Sequence, residues 1–170
     1  MQTQLNPGAT ALTNPARHAD TGPAGQDGRG EGLRRAGSLG DDEFVFLQQA
    51  YRPSGGLAHG DELATRLHVD GAGGYARLAR WIVGRHVFSF AWHEHFWLPM
   101  FQFDPHELTP RPGLRLVLAE LADVMDGRAL ADWFALPSGM LNGRSPADMW
   151  ARQGPAVQQA ARLQRCAITG

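Results

Sequence analysis

The chain has 170 residues, 43 % of them apolar, and a formal net charge of -1. That balance gives no bulk electrostatic case for nucleic acid or an anionic membrane, and no apolar run reaches membrane-spanning length. All 16 basic residues are arginine, and Cys166 stands alone, which excludes an intrachain disulfide and disfavours a cysteine-based zinc site.

Residues 1–40 contain eight glycines and three prolines, with leucines at 5, 12, 33 and 39 as the large apolar groups. So little apolar surface does not offset the entropy of ordering, and a disordered arm is expected. In Asp41 to Tyr51 acidic residues precede Phe44, Val45 and Leu47, which predicts a short helix ended by Pro53-Ser54-Gly55-Gly56. A compact segment is expected from Leu57 onward. Asp61 is a candidate N-cap for a helix carrying Leu63 and Leu67, and Gly71 to Gly74 should break it. Tyr75, Leu78, Ala79 and Ile82 then keep a helical period up to Gly84, with Arg77, Arg80 and Arg85 on the polar side.

Seven of the fifteen aromatic residues fall between Phe88 and Phe103. Phe88 to Trp92 alternates large with small side chains like a half-buried strand, and Phe96 to Phe103 reads as its return strand around a tip at His93-Glu94-His95. Two helices followed by a hairpin is the outline of a winged helix-turn-helix. Pro105 to Pro112 holds three prolines and should be an extended linker.

After it, Leu114, Val117, Leu118, Leu121 and Met125 share a helical face, with Gly127 as the expected C-cap. Arg128 to Leu136 makes the next helix, stopped by Pro137, which lacks an amide hydrogen and disfavours helix at Leu136. Gly139 and Asn142-Gly143 allow a tight connection in which Met140 and Leu141 turn inward. Ser145 and Pro146 then start a helix as hydroxyl cap and first-turn proline, and Gly154-Pro155 restarts the chain into a last one. The expected fold is mainly α with a small β-hairpin. Its parts are the disordered arm (1–40), a winged helix-turn-helix-like module (41–105) and a C-terminal helical bundle (106–170).

Two stretches carry a resemblance. Trp133-Phe134, Pro137-Ser138, Leu141, Gly143-Arg144-Ser145-Pro146 and Met149 resemble the W-x-x-x-PN-x-x-L-x-G-x-x-P-x-x-hydrophobic signature of the Xre/MbcA/ParS-type toxin-binding domain. Ser138 stands where that family commonly has asparagine. Pro99 to Asp104, PMFQFD, looks like the P-x-F/W-QFD segment that joins the two halves of family members. The likeness extends more loosely over Leu114 to Gly170.

The resemblance implies an antitoxin of a type II toxin-antitoxin system, paired with an RES-type toxin that degrades NAD. Inhibition would be stoichiometric, by occluding the entrance through which the toxin admits NAD. The family places part of the partner surface on the final helices and tail, where Arg144, Arg152, Arg162 and Arg165 are the candidates. Trp133, Phe134, Pro137, Leu141, Gly143 and Pro146 are expected to be scaffold. Family antitoxins often dimerise, so a homodimer is an allowed assembly, with the hairpin aromatics as either interface or core.

Other chemistry is thinner. No Gly-rich phosphate loop, Gly-x-Ser-x-Gly elbow or HExxH occurs, so neither an enzyme nor a cofactor is expected. His93 and His95, with His86 or Glu94, are the candidate metal ligands, but histidines at a hairpin tip are more often solvated and no metal is expected. Promoter DNA is the second candidate partner, through Arg66, Arg77, Arg80 and Arg85. Residues 56–105 nevertheless hold four arginines against five acidic residues. The alternative to an antitoxin is a solitary DNA-binding regulator, or a scaffold homologue without a toxin. The N-terminus lacks the order of a signal peptide, which points to the cytoplasm with no membrane partner.

Overall fold

Helix α1 (Asp41–Tyr51) buries Phe44, Leu47 and Tyr51, one face at i, i+3 and i+7, and carries three acidic residues in its first turn. The computed structural model describes residues 39–67 and 73–170. The arm expected over 1–40 therefore lies, except for Leu39 and Gly40, outside the described residues, as does part of the expected break at Gly71 to Gly74. The described residues belong to one compact unit.

A 3-10 turn (Arg52–Ser54) closes α1, and Gly55 (φ 109) and Gly56 (φ 79) take left-handed conformations that reverse the chain. Strand β1 (Leu57–His59) follows, then helix α2 (Gly60–Arg66) and helix α3 (Gly74–Val83). Strands β2 (Phe90–Trp92) and β3 (His95–Pro99) form the hairpin. The sheet is antiparallel in the order β1-β3-β2, with His59 opposite Trp97 and Trp92 opposite His95. Helices α4 (Leu114–Leu121), α5 (Gly127–Ala135) and α6 (Pro146–Thr169) complete the mainly helical chain. Among the described residues no helix is long and apolar enough to cross a membrane.

The pleat of β3 divides the interior. Leu98 and Phe96 pack with Leu63, Leu67, Leu78 and Val87 of the α2/α3 side. Trp97 packs instead with the larger cluster, in which Leu39, Phe44, Leu47 and Tyr51 meet Phe134, Leu118 and Val157. The Phe44 ring stacks on Trp92 with centroids 3.8 Å apart. Of the hairpin aromatics Phe90 is core, while Trp92, Phe96 and Trp97 are half-buried and pack against the two clusters. Among the described residues the core already includes Leu39, Phe44, Leu47 and Tyr51, upstream of Leu57, where a compact segment was expected to begin.

Several sequence expectations change on contact with the fold. Strand β1 was not foreseen. Asp61 is not the cap of α2; the His59 side chain accepts from the Asp61 amide instead. Tyr75 points outward, so the buried face of α3 rests on Leu78. The first hairpin strand starts at Phe90 because both backbone groups of Phe88 bond the Gln102 side chain rather than a strand. The return strand stops at Pro99, where a 3-10 turn (Met100–Gln102) begins.

Residues 104–110 fold back as well, and do not run as an extended linker. The Asp104 carboxylate accepts from the amides of His106 and Glu107, and the Asp104 amide donates to the Thr109 carbonyl. Helix α4 ends at Leu121, and Gly127 opens α5 where a C-cap was expected; Asp126 caps it through the Ala129 amide at 2.8 Å. A side chain at Gly127 would strike the Ser89 carbonyl, so close approach of the hairpin explains that glycine.

Candidate functional site

The corner between α5 and α6 is built by turn chemistry that the sequence announces. Leu136 is extended (φ -81, ψ 142) before Pro137, and the Ser138 hydroxyl accepts from the Met140 amide at 3.3 Å. Ser138 and Arg144 pair as an isolated bridge, closed by Asn142 (φ 56) and Gly143 (φ 73), both left-handed. Leu141 is 2 % exposed and plugs the corner, whereas Met140, expected to turn inward with it, is 48 % exposed. Ser145 caps α6 by accepting from the Asp148 amide at 3.2 Å, with Pro146 in the first turn.

The remaining scaffold candidates lie behind this corner. Phe134 is fully buried, 4.9 Å from Phe101 and 4.8 Å from the half-buried Trp133. Gln102 is fully buried beside Phe101, its amide bonded to Phe88 and to the Pro99 carbonyl. The PMFQFD stretch is thus anchored by a side-chain amide that satisfies three backbone groups.

Between that stretch and the corner opens a groove of about 590 Å³. Arg111, Arg144 and Arg152 line it with Asp148, over a floor that includes Phe101, Ala147 and the Pro53–Gly55 turn. Three guanidinium groups face one carboxylate, an excess of two positive charges. Arg111 is steadied by donating from Nε to the Phe103 carbonyl at 3.0 Å. A second groove of about 310 Å³ shares Arg111 and Ala151 and runs along the kink of α6, where Gln153 leaves helical geometry before Pro155. Planar guanidinium forks on an apolar floor suit carboxylate or phosphate groups of a partner. Sequence reasoning missed Arg111, because nothing in a proline-flanked arginine signals which face it will reach.

The four arginines expected to bind a partner divide into two sets. Arg144 and Arg152 share the groove. Arg162 and Arg165 sit on the second half of α6 and both engage Glu120 of α4, at 3.3 and 3.7 Å.

The arginines expected to meet DNA are also not equivalent. Arg66 closes α2, and Arg77 and Arg80 lie on α3; none has an ion-pair partner among the described residues. Arg85 pairs with Asp123 at 2.8 Å. At the hairpin tip His93 reaches Asp41 at 3.2 Å, while His95 turns to His59, with ring centroids 4.6 Å apart. The two histidines thus do not act as a pair, and His86 and Glu94 do not join them in a ligand cluster among the described residues.

Two titratable groups tie α1 to α5. Burial, and then the Asp132 charge, push the Tyr51 phenol well above the usual tyrosine range, and its hydroxyl donates to the Ala131 carbonyl at 2.6 Å. Burial acts to lower the Arg128 guanidinium, but hydrogen bonds to Glu43 and Asp132 outweigh it and hold the group above the ordinary arginine value. Comparison with protein-family models, curated proteins and solved structures yields no match.

Proposed function

We propose that this chain is a type II antitoxin that binds and inhibits an RES-type, NAD-degrading toxin in the cytoplasm. The observation that carries the reading is the shared groove. PMFQFD and the Trp133–Met149 stretch are separate in sequence, yet Phe101 of the first and Arg144 of the second line the same opening with Arg111 and Arg152. Two stretches that resemble one family on different grounds thus converge on one cationic, apolar-floored surface, which supports a common role in holding a partner.

Inhibition follows from occupancy. A toxin rim that offers carboxylates to Arg144 and Arg152 and an apolar group to Phe101 would seat against the groove, and the bulk of α5 and α6 would then cover the NAD entrance. Arg162 and Arg165 extend the surface along α6, where a toxin carboxylate must compete with Glu120. The test is coexpression of the chain with an RES-type toxin, with the double variant Arg144→Glu/Arg152→Glu beside it. The wild type copurifies with the toxin and rescues growth; the double variant does neither while melting like the wild type. Loss of neither property in the double variant rejects the groove as the toxin contact.

A second reading, DNA binding, is favoured by one observation: α2 and α3 are followed by a hairpin, and Arg66, Arg77 and Arg80 have no ion-pair partner among the described residues. Promoter autoregulation is compatible with the antitoxin role, and the same face would serve a solitary regulator. Duplex affinity that falls steeply with salt, and falls further in Arg77→Ala and Arg80→Ala, supports it. Affinity insensitive to both rejects it.

A further inference from the structure

The register of β1 on β3 brings His95 beside His59 and its near neighbour Asp61, which lie far earlier in the sequence. His59 lies opposite Trp97, and His95, two residues before Trp97, projects from the same face of the sheet. Asp61 follows His59 by two residues in the first turn of α2. Ligand atoms from His59, Asp61 and His95 lie within 4.8 Å of one another. The His59 Nδ1 atom is 3.7 Å from Asp61 Oδ2, a separation that two ligands on one small cation span.

We propose that His59, Asp61 and His95 bind a first-row divalent transition metal ion. Two imidazoles and one carboxylate are borderline nitrogen and oxygen donors, the set that suits Zn²⁺ and its neighbours rather than Ca²⁺ or Mg²⁺. Three protein ligands at a surface leave room for water or a group from a partner.

Two further contacts fix the arrangement. The Tyr75 hydroxyl donates to Asp61 Oδ1 at 3.1 Å, which orients the carboxylate and leaves Oδ2 toward His59. Gly60, between the two ligands, lies so close under the Phe96 ring that any side chain there would clash with it. The strand-to-helix junction is thereby pressed onto β3. The His59 Nδ1 lone pair meanwhile holds only a long bond from the Asp61 amide, 3.3 Å, which an ion would replace. Bound metal would rivet the β1-α2 junction to the hairpin.

The test is titration of ZnCl₂ into the untagged, chelator-stripped full chain, read by calorimetry and by melting temperature. One Zn²⁺ per chain is expected, with a higher melting temperature than in EDTA. Both features persist in Cys166→Ser and in His93→Ala, which remove two other exposed donors. His95→Ala and Asp61→Asn each weaken binding by at least about tenfold. His95 is exposed, so His95→Ala should melt like the wild type in EDTA; this variant decides the matter even if Asp61→Asn proves less stable. Absence of saturable binding, or binding that survives His95→Ala, overturns the site.

Discussion

At the scale of single residues, Gln102 and Tyr51 show how buried polar groups specify this fold. Gln102 satisfies the amide and carbonyl of Phe88 and the carbonyl of Pro99 from one side chain with no exposed surface. Gln102→Leu keeps the volume but strands those groups, each at a cost of about 1–3 kcal/mol, so chemical denaturation should show a loss of that order or more. Tyr51→Phe removes a single hydroxyl bond and should cost about 1 kcal/mol. Because the folded state raises the Tyr51 pKa, its contribution is complete below the ordinary tyrosine value, about 10, and is lost as pH rises from there through the folded value. A melting curve that falls off in alkali, and falls off less in Tyr51→Phe, is the expected result.

Elements are governed here by their ends. Ser145 caps α6 at the corner that sets Arg144 and Arg152, and it is 6 % exposed, so Ser145→Ala should destabilise by about 1 kcal/mol and loosen the groove wall. The 104–110 turn titrates in the opposite sense to Tyr51. Amide bonds from Glu107 and His106 hold the Asp104 carboxylate below its ordinary range. Its contribution is therefore present above the unfolded aspartate value and lost as pH falls through the folded one. Protection of the His106 and Glu107 amides, relative to their intrinsic exchange rates, should fall in acid, and in Asp104→Ala at neutral pH; no change in the variant would separate the turn from that carboxylate.

What could be read from the chain at this level followed the locality of the signal. Helices α1, α5 and α6 and the Pro137–Ser145 corner announce themselves through periodicity, prolines and caps that act within a few residues. Strand β1 is only three residues long, and its strandedness comes from β3, some forty residues away, so no local pattern marks it. Gly127 looked like a helix end because its real constraint, the Ser89 carbonyl, is likewise distant in sequence. The site divides in the same way: Arg144 lies within the quoted signature and Arg152 on the helix it starts, whereas Arg111 and His59 gain meaning only from the fold.

For the whole molecule, one core joins α1, the hairpin and the three C-terminal helices, and two surfaces of different chemistry sit on it. The cationic groove lies between the PMFQFD stretch and the α5-α6 corner, and the His59-Asp61-His95 cluster lies where β1 meets β3. Arg128 of α5, braced by Asp132 on the same helix, pairs with Glu43 of α1 and ties the two helices together. The proposed function rests on partner capture at the groove. It is tested most directly by coexpressing the full chain with an RES-type toxin and weighing copurification and growth together. A stable complex and restored growth are expected, both lost in Arg144→Glu/Arg152→Glu. A correctly folded wild-type chain that neither retains the toxin nor restores growth would contradict it.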